Sequence, residues 1–157
     1  MSSQYERELR QVLAGVPKGV ESVIRSCTPV EKQKMLQVIQ RPFLVVRAAG
    51  SGMEGTGDLL ALRGDLCFPI EVKSTRATKL YLSGRTKLQY EAMVHEGERC
   101  KLMPLYAHRR KGVRGDSWRI FRVETSNLTG RLRQLEKSIP AFPTTRNGSV
   151  YLNWEDG

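Results

Sequence analysis

Two carboxylates and a lysine occur at a spacing that could bring them together on a β-sheet. Asp58 is followed, after twelve residues, by the tripeptide Glu71-Val72-Lys73. Because alternate residues of a strand share a face, Glu71 and Lys73 should point the same way, with Val72 toward the core. A tight turn at Gly64-Asp65 would pair the two segments as a hairpin and bring Asp58 level with Glu71.

Such a cluster suits magnesium chemistry on phosphate esters. Carboxylates without histidine favour Mg²⁺, with Mn²⁺ as a substitute, so we expect Asp58, Glu71 and the backbone carbonyl of Val72 as ligands. A metal there can polarise a phosphoryl oxygen and activate a water, while Lys73 orients that water or stabilises charge on the phosphate. The pattern alone also fits an exposed ion pair between Glu71 and Lys73, so both interpretations stand.

The charge balance indicates a polyanionic partner. The 157-residue chain carries 26 Lys and Arg against 16 Asp and Glu, for a formal net charge of +10. Nucleic acid is the commonest partner of so basic a domain, and an acidic protein or a membrane surface is the alternative. The 39% hydrophobic content is ordinary for one globular domain, so we expect a single domain over residues 1–157, with its core at 4–124.

Other classes of protein are disfavoured. No segment has the roughly 20 apolar residues of a membrane span, and the first residues have no apolar signal core, so we expect a cytoplasmic protein without membrane contact. Cys27, Cys67 and Cys100 include no CxxC pair, which favours reduced thiols over a zinc site. His95 and His108 are isolated and are expected to be structural, while Trp118 and Phe121 are expected in the core.

The hydrophobic periodicity predicts an α/β fold with a central mixed sheet flanked by helices. Gly15, Pro17 and Gly19 are expected to break the chain after the first helix. In the second helix, Val30, Met35, Leu36 and Ile39 are expected to face inward. The predicted helices are 4–14, 29–40, 85–98 and a short one near 128–137, and the predicted strands are 43–48, 59–63, 66–73, 101–107 and 117–124.

The pattern around Gly57-Asp58 and Glu71-Val72-Lys73 resembles the PD-(D/E)xK nuclease superfamily, with Gly-Asp in place of Pro-Asp. The chain is more specifically similar to the archaeal-type Holliday junction resolvases of the Hjc family, whose fold is restriction-endonuclease-like. The similar segments lie within residues 4–14 and 42–124, and no counterpart is placed for the tail after residue 125. They are YERELRQVL (5–13), PFLVVRAAGSG (42–52), GDLLALRGDLCFPIEVK (57–73) and WRIFRVE (118–124).

This resemblance implies roles for matching residues. Asp58 and Glu71 would be metal ligands, Lys73 the catalytic lysine, and Glu6 a further acidic residue of the site. Arg47 and Ser51 would lie beside the scissile phosphate. The resemblance also implies a two-fold homodimer that nicks two opposed strands of a four-way DNA junction.

One departure leaves the further acidic residue open. The stretch from Glu6 to Arg47 is longer than is usual in the family and includes the predicted helix 29–40. That helix offers Glu31 as a rival. We favour Glu6 because Glu-Arg-Glu-Leu at 6–9 keeps the family's local motif, whereas Glu31 fits the acidic start of a helix.

Several polar and basic residues are expected to contact DNA backbone phosphates. Ser51 in Gly-Ser-Gly fits either a phosphate contact or a flexible linker, and Gln89 is the best candidate on its helix to face the site. For the basic residues, a solvated surface is the alternative. The full expected set is Arg7, Arg47, Ser51, Arg85, Lys87, Gln89, Arg109, Arg110 and Lys111, the last three within a flexible basic loop.

Two other functions remain compatible with these observations. A nuclease of the same superfamily could cut duplex or branched DNA as a restriction or repair enzyme. A non-catalytic nucleic-acid-binding module is the third possibility, although the presence of Asp58, Glu71 and Lys73 together argues against it.

Overall fold

A computed structural model describes residues 4–48, 57–77, 79–82, 84–141 and 150–153. Helices and strands alternate along the chain, as expected for an α/β fold. The helices are α1 (Gln4–Leu13), α2 (Pro17–Ile24), α3 (Pro29–Gln40), α4 (Arg85–Cys100) and α5 (Gly130–Leu135). The strands are β1 (Leu44–Arg47), β2 (Leu59–Arg63), β3 (Leu66–Thr75), β4 (Lys79–Leu82), β5 (Leu105–Arg110), β6 (Trp118–Arg122) and β7 (Val150–Asn153).

Five strands form one mixed sheet in the order β1-β2-β3-β5-β6. Strands β3 and β5 run parallel, with α4 in the crossover between them, and the other neighbours are antiparallel. Strands β4 and β7 form a separate antiparallel pair that the sequence did not predict. The predicted fold, a central mixed sheet flanked by helices, is confirmed, and it is the architecture expected of a restriction-endonuclease-like protein.

Each face of the sheet packs against its own helices. On one face, Leu9 of α1 and Leu132 of α5 join a core with Phe68 and Ile70 of β3 and Trp118 of β6. On the other, α4 contributes Met93 to a second core with Tyr106, Phe121 and Val123, among others. Because side chains alternate along β3, Glu71 and Lys73 face the α4 side. The expectation that Trp118 and Phe121 belong to the core is confirmed.

The first helix ends where it was predicted to end, but a second helix, α2, that the sequence did not predict follows at once and includes Pro17 and Gly19. Gly15 has a φ of +71° and makes the turn, and Pro17 lies at the start of α2, where its missing N–H needs no partner. Gly19 is buried against Gln11 of α1, and a Cβ at Gly19 would lie 2.5 Å from the Gln11 Cβ. This glycine lets two helices approach closely instead of breaking the chain.

The predicted inward face of α3 is partly wrong. Val30 is 65% exposed and Leu36 47% exposed, whereas Met35 and Ile39 are partly buried. Residues 35 and 39 are one turn apart and share a face, while positions 30 and 36 turn away from it. A periodicity judged on four apolar residues therefore gave this helix a wider buried face than it has.

The basic segment predicted as a flexible loop begins inside a strand. Lys101 ends α4 in a left-handed conformation, with φ 56°, and its N–H binds Gly97 O, so the following residues form a turn. Pairing with β3 then carries β5 as far as Arg110, which lies opposite Thr75. Arg109 and Arg110 are consequently strand residues, and of these three basic residues only Lys111 lies in the loop.

The described part of the chain contains no helix with the length and hydrophobicity of a membrane span.

Candidate active site

Two hydrogen bonds fix Asp58 beside β3. The Asp58 N–H donates to Ile70 O at 2.8 Å, and the Val72 N–H donates to Asp58 Oδ2 at 2.8 Å. Asp58 directly precedes β2, whose first residue, Leu59, pairs with Ile70. The Asp58 carboxylate thus lies level with the Glu71-Val72-Lys73 segment, as the turn at Gly64-Asp65 predicted.

Gly57 makes this approach possible. Its φ is +74°, and a Cβ at this position would lie 2.5 Å from Ile70 O and 2.7 Å from the Ile70 carbonyl carbon. Any larger residue would meet rigid backbone and adopt a conformation that side chains disfavour. The glycine in the Gly-Asp pair therefore has a physical reason to be there.

Glu71 and Lys73 form a close pair between β3 and α4. Lys73 Nζ lies 3.3 Å from Glu71 Oε1 and donates to Gln89 Oε1 of α4 at 3.4 Å. The Glu71 side chain is 10% exposed and that of Lys73 21%. The pair is therefore not the exposed surface ion pair that the sequence left open, and Gln89 faces it from α4.

Burial and neighbouring charge raise the pKa of Glu71 to about 7. Burial is the largest cause, the Asp58 carboxylate adds to it, and Glu6 contributes more weakly. Lys73 acts in the opposite direction, by charge and by hydrogen bonding, without compensating the rise. A carboxylate with excess negative charge nearby is the environment that a cation stabilises.

Glu6 lies on the side of the site formed by α1 and β1. Its Oε2 is 3.9 Å from Arg47 Nε, at the end of β1. Glu31 is placed elsewhere: its Oε1 accepts the Thr28 N–H at 2.9 Å, and its Oε2 accepts the Asp116 N–H at 2.9 Å. Because Thr28 Oγ1 in turn accepts the Glu31 N–H, Glu31 completes a capping box at the start of α3.

The oxygen atoms available for a metal are few. Among the residues that the structure describes, no group of three or more His, Cys, Asp or Glu side chains gathers as a metal site. Asp58 and Glu71 supply two carboxylates. Val72 can add its carbonyl, because its N–H points to Asp58 and the N–H and C=O of one strand residue point to the same side.

The residues expected to contact DNA are not gathered in one place. Arg7, Arg85 and Lys87 are exposed on their helices, and Arg47 lies at the site. Arg109 Nε lies 3.4 Å from Glu8 Oε1, and its guanidinium stacks 4.8 Å from the Tyr5 ring. Lys111 also lies over Tyr5, at 5.6 Å. Ser51 is outside the described residues.

Sequence reasoning did not single out Glu8, which ties α1 to the sheet. Its Oε1 accepts the Trp118 Nε1–H at 2.8 Å as well as contacting Arg109. The sequence contained a signal for this, because Tyr5 and Glu8 are three residues apart and therefore lie on the same face of α1. Arg109 is therefore part of a packed contact and is only 19% exposed, unlike the freely extended loop residue that was expected.

His108 is structural in position, as expected. It is fully buried on β5, next to Lys73 in the parallel pairing, and its Nε2 lies 2.8 Å from Thr75 Oγ1. Burial, with a smaller effect of Arg110, lowers the pKa of His108 to about 4. The imidazole is therefore neutral at physiological pH and adds no charge beside Lys73.

Comparison with known proteins gives one family. A family model described as archaeal Holliday junction resolvase (Hjc) matches residues 29–140. The match extends past residue 124, where the similar segments of the sequence end, and leaves out α1 and α2. No curated protein matches the chain. The solved structure of Hjc from Archaeoglobus fulgidus, a Holliday junction resolvase of an archaeal hyperthermophile, has 20% identity and a TM-score of 0.49. That alignment covers 80% of this chain and 86% of the other.

Proposed function

This chain belongs to the archaeal Holliday junction resolvase family, and we propose that it is a divalent-metal-dependent endonuclease that resolves four-way DNA junctions by paired nicks. One observation carries the proposal beyond the family. The Asp58 carboxylate is bound to the strand segment that presents Glu71 and Lys73, and the Glu71 pKa is raised to about 7 beside it. Perturbed carboxylates of this kind are typical of catalytic sites.

The oxygen atoms of Asp58, Glu71 and Val72 fit Mg²⁺ or Mn²⁺. Asp58, Glu71 and the Val72 carbonyl are hard ligands, and waters and phosphate oxygens usually complete the coordination of such ions. When bound, the ion supplies Lewis-acid polarisation of the phosphate and a water of lowered pKa. Its positive charge would also offset the burial of the Glu71 charge and its repulsion by Asp58, which together raise the pKa of Glu71.

The remaining residues act on the phosphate and on each other. Lys73, oriented by Gln89, carries a charge that can stabilise the phosphate as negative charge develops in the transition state. Arg47 at the end of β1 can bind a neighbouring phosphate oxygen, and Glu6 holds it toward the site. As the resemblance implies, we propose that Ser51 also binds the phosphate.

DNA is held through its backbone. Arg7, Arg85, Lys87, Arg110 and Lys111 are partly or fully exposed and can contact phosphates, which would make affinity depend on salt and junction shape instead of base sequence. Arg109 supports this surface from its contacts with Glu8 and Tyr5.

Two nicks in a two-fold symmetric junction need two active sites, so we propose a homodimer. The edge strand β1 supports this. Leu44 is 68% exposed and Val46 45%, and their partners on β2, Leu62 and Leu60, extend the same apolar face. An apolar edge of this kind on a lone chain favours association with another copy.

A gel assay of a labelled synthetic four-way junction, with and without Mg²⁺, tests the proposed function. A linear duplex of the same sequence runs alongside. We expect paired, symmetric nicks in the junction alone and only with metal. Cutting of the duplex as well would indicate a nuclease of another specificity. Binding without cutting in either Mg²⁺ or Mn²⁺ would contradict catalysis and leave a binding module.

A further inference from the structure

A basic cleft lies at the end of β1 and β2 that is farther from Asp58. Its volume is about 570 Å³, and it opens between the C-terminal half of α3 and the sheet. By the usual rise along a strand, Arg63 is roughly 17 Å from Asp58, so this is a separate place on the protein. The residues that line the cleft are Lys34, Gln37, Gln40, Arg41, Phe43 and Arg63.

Arg63 is held in a fixed orientation in this basic cleft. Its Nη1 donates to the Arg41 carbonyl at 2.6 Å, and its guanidinium carbon lies 4.2 Å from the centre of the Phe43 ring. Stacking on an aromatic ring leaves the edge of a guanidinium free to donate hydrogen bonds. An oriented guanidinium loses little conformational entropy when it binds an anion.

The charges of the cleft are not balanced. Three cations line it, and its lining contains no carboxylate. Burial, together with the charges of Arg41 and Arg131, lowers the pKa of Arg63. The nearby carboxylate of Asp65 is engaged with Arg131, at 3.2 Å. An anion in the cleft would relieve this repulsion, and the amides of Gln37 and Gln40 could donate to its oxygens.

We propose that the basic cleft binds a backbone phosphate of a junction arm, away from the scissile bond. This inference rests on the proposed function, because it takes DNA as the ligand. A separation of roughly 17 Å corresponds to about five base pairs of rise along a duplex, so one arm can reach both places.

The test compares two double variants that remove the same charge. Lys34→Gln with Arg41→Gln changes the cleft. Arg133→Gln with Lys137→Gln, called the α5 variant, changes exposed residues of α5 and of the turn that follows it. Binding to a fluorescent four-way junction is measured in EDTA over a range of salt concentrations. We expect the salt dependence of log Kd to fall by about one unit of slope in the cleft variant, and to change little in the α5 variant.

Two results would overturn the inference: an unchanged slope in the cleft variant, or an equal fall in both variants. Cleavage by the wild-type protein with Mg²⁺ is recorded in parallel to keep the two proposals apart. If the wild type cuts and the cleft variant keeps its slope, the inference fails and the proposed function stands. If the wild type does not cut and the slope falls only in the cleft variant, the proposed function fails and the inference about the cleft stands.

Discussion

Asp58 Oδ2 accepts a hydrogen bond of 2.8 Å from the backbone N–H of Val72, the residue between Glu71 and Lys73. The carboxylate thereby serves as the acceptor for a strand N–H, as a backbone carbonyl would in the sheet. One of its oxygens is committed to this bond, which leaves the other for a ligand. The same bond holds Asp58 against the segment of β3 that carries Glu71 and Lys73.

Removing any one of three charged groups should stop cutting without preventing binding. We expect Asp58→Asn, Glu71→Gln and Lys73→Ala each to slow junction cleavage by roughly 10²-fold or more, because each acts on charge that develops in the transition state. Affinity should persist, since it comes mainly from basic residues elsewhere. Single-turnover cleavage and binding in EDTA measure the two effects.

Matched substitutions at exposed positions serve as controls for these three variants. Asp65→Asn, Glu124→Gln and Lys137→Ala make the same chemical changes away from the site and should cut normally. Normal cutting by Asp58→Asn, Glu71→Gln or Lys73→Ala would show that the site is wrongly assigned.

Gly57→Ala should damage both stability and activity. The added methyl group would lie 2.5 Å from Ile70 O, in a backbone conformation that disfavours it, at a cost of roughly 1–3 kcal/mol. Relief of the clash moves Asp58 away from β3, so cleavage should fall as well. Gly64→Ala is the control: its φ is +57°, but no heavy atom lies within 4 Å of the added Cβ. Urea unfolding measures the stability and junction cleavage the activity of each variant. Equal loss of cleavage in the two variants would contradict the role of the close approach between Gly57 and Ile70.

Glu71 should give the metal-free protein an unusual pH dependence. Its pKa rises from an ordinary value of 4.5 to about 7 on folding, chiefly through burial. Between these values the folded state binds more protons than the unfolded state. The stability contributed by protonated Glu71 is therefore complete below pH 4.5 and is lost as the pH rises through 7, by roughly 3 kcal/mol.

His108 acts in the opposite direction, and the variant Glu71→Gln exposes its effect. The pKa of His108 falls from 6.5 to about 4, so its contribution is lost as the pH falls through that range. Because the two contributions offset each other, urea unfolding in EDTA should show a nearly flat stability of the wild type between pH 4.5 and 6.5 and a rise of stability with pH in Glu71→Gln. An unchanged profile would mean that Glu71 is not protonated in the folded state.

Glu6 and Glu31 should differ in what their removal changes. Glu6→Gln weakens the contact with Arg47 at the site, and we expect a large loss of cleavage with little change in melting temperature. Glu31→Ala removes the capping box of α3 and the contact with Asp116, and we expect a lower melting temperature with cleavage retained. The opposite pattern would assign the further acidic residue to Glu31.

The homodimer should depend on the apolar edge at β1. Leu44→Glu places a charge on this edge, and we expect the molecular mass by light scattering to fall to that of one chain. Paired nicks should then become independent single nicks in a supercoiled cruciform plasmid. Leu36→Glu, at an exposed leucine of α3, is the control and should leave the mass unchanged. A dimeric Leu44→Glu protein would place the contact elsewhere.

The sequence predicted the mixed sheet and the position of Asp58 beside Glu71, because both follow from local rules. The Gly64-Asp65 turn defines the pairing of β2 and β3, and alternation along β3 puts Glu71 and Lys73 on one face. The closeness of Gln89 to Lys73 could be expected from the same reasoning, since α4 must cover that face.

Other features depend on contacts between distant segments, which periodicity cannot show. Pro17 and Gly19 look like helix breakers until Gln11 is known to pack against Gly19. The contacts of Arg109 with Glu8 and Tyr5 join residues about a hundred positions apart, so the sequence indicated a free loop. The choice between Glu6 and Glu31 as the further acidic residue likewise depended on a long-range contact, because the sequence could not show that Glu31 binds the Asp116 N–H.

The number of residues in the hairpin between Asp58 and Glu71 determines whether the two carboxylates lie level and on the same face of the sheet. The hairpin consists of five residues of each strand and the two residues of the turn. Inserting one residue in β3 before Glu71 would shift it by one position and turn its side chain toward the opposite face of the sheet. Adding one residue to each strand would keep the two carboxylates level. Natural variation in the length of this hairpin should therefore occur in steps of two.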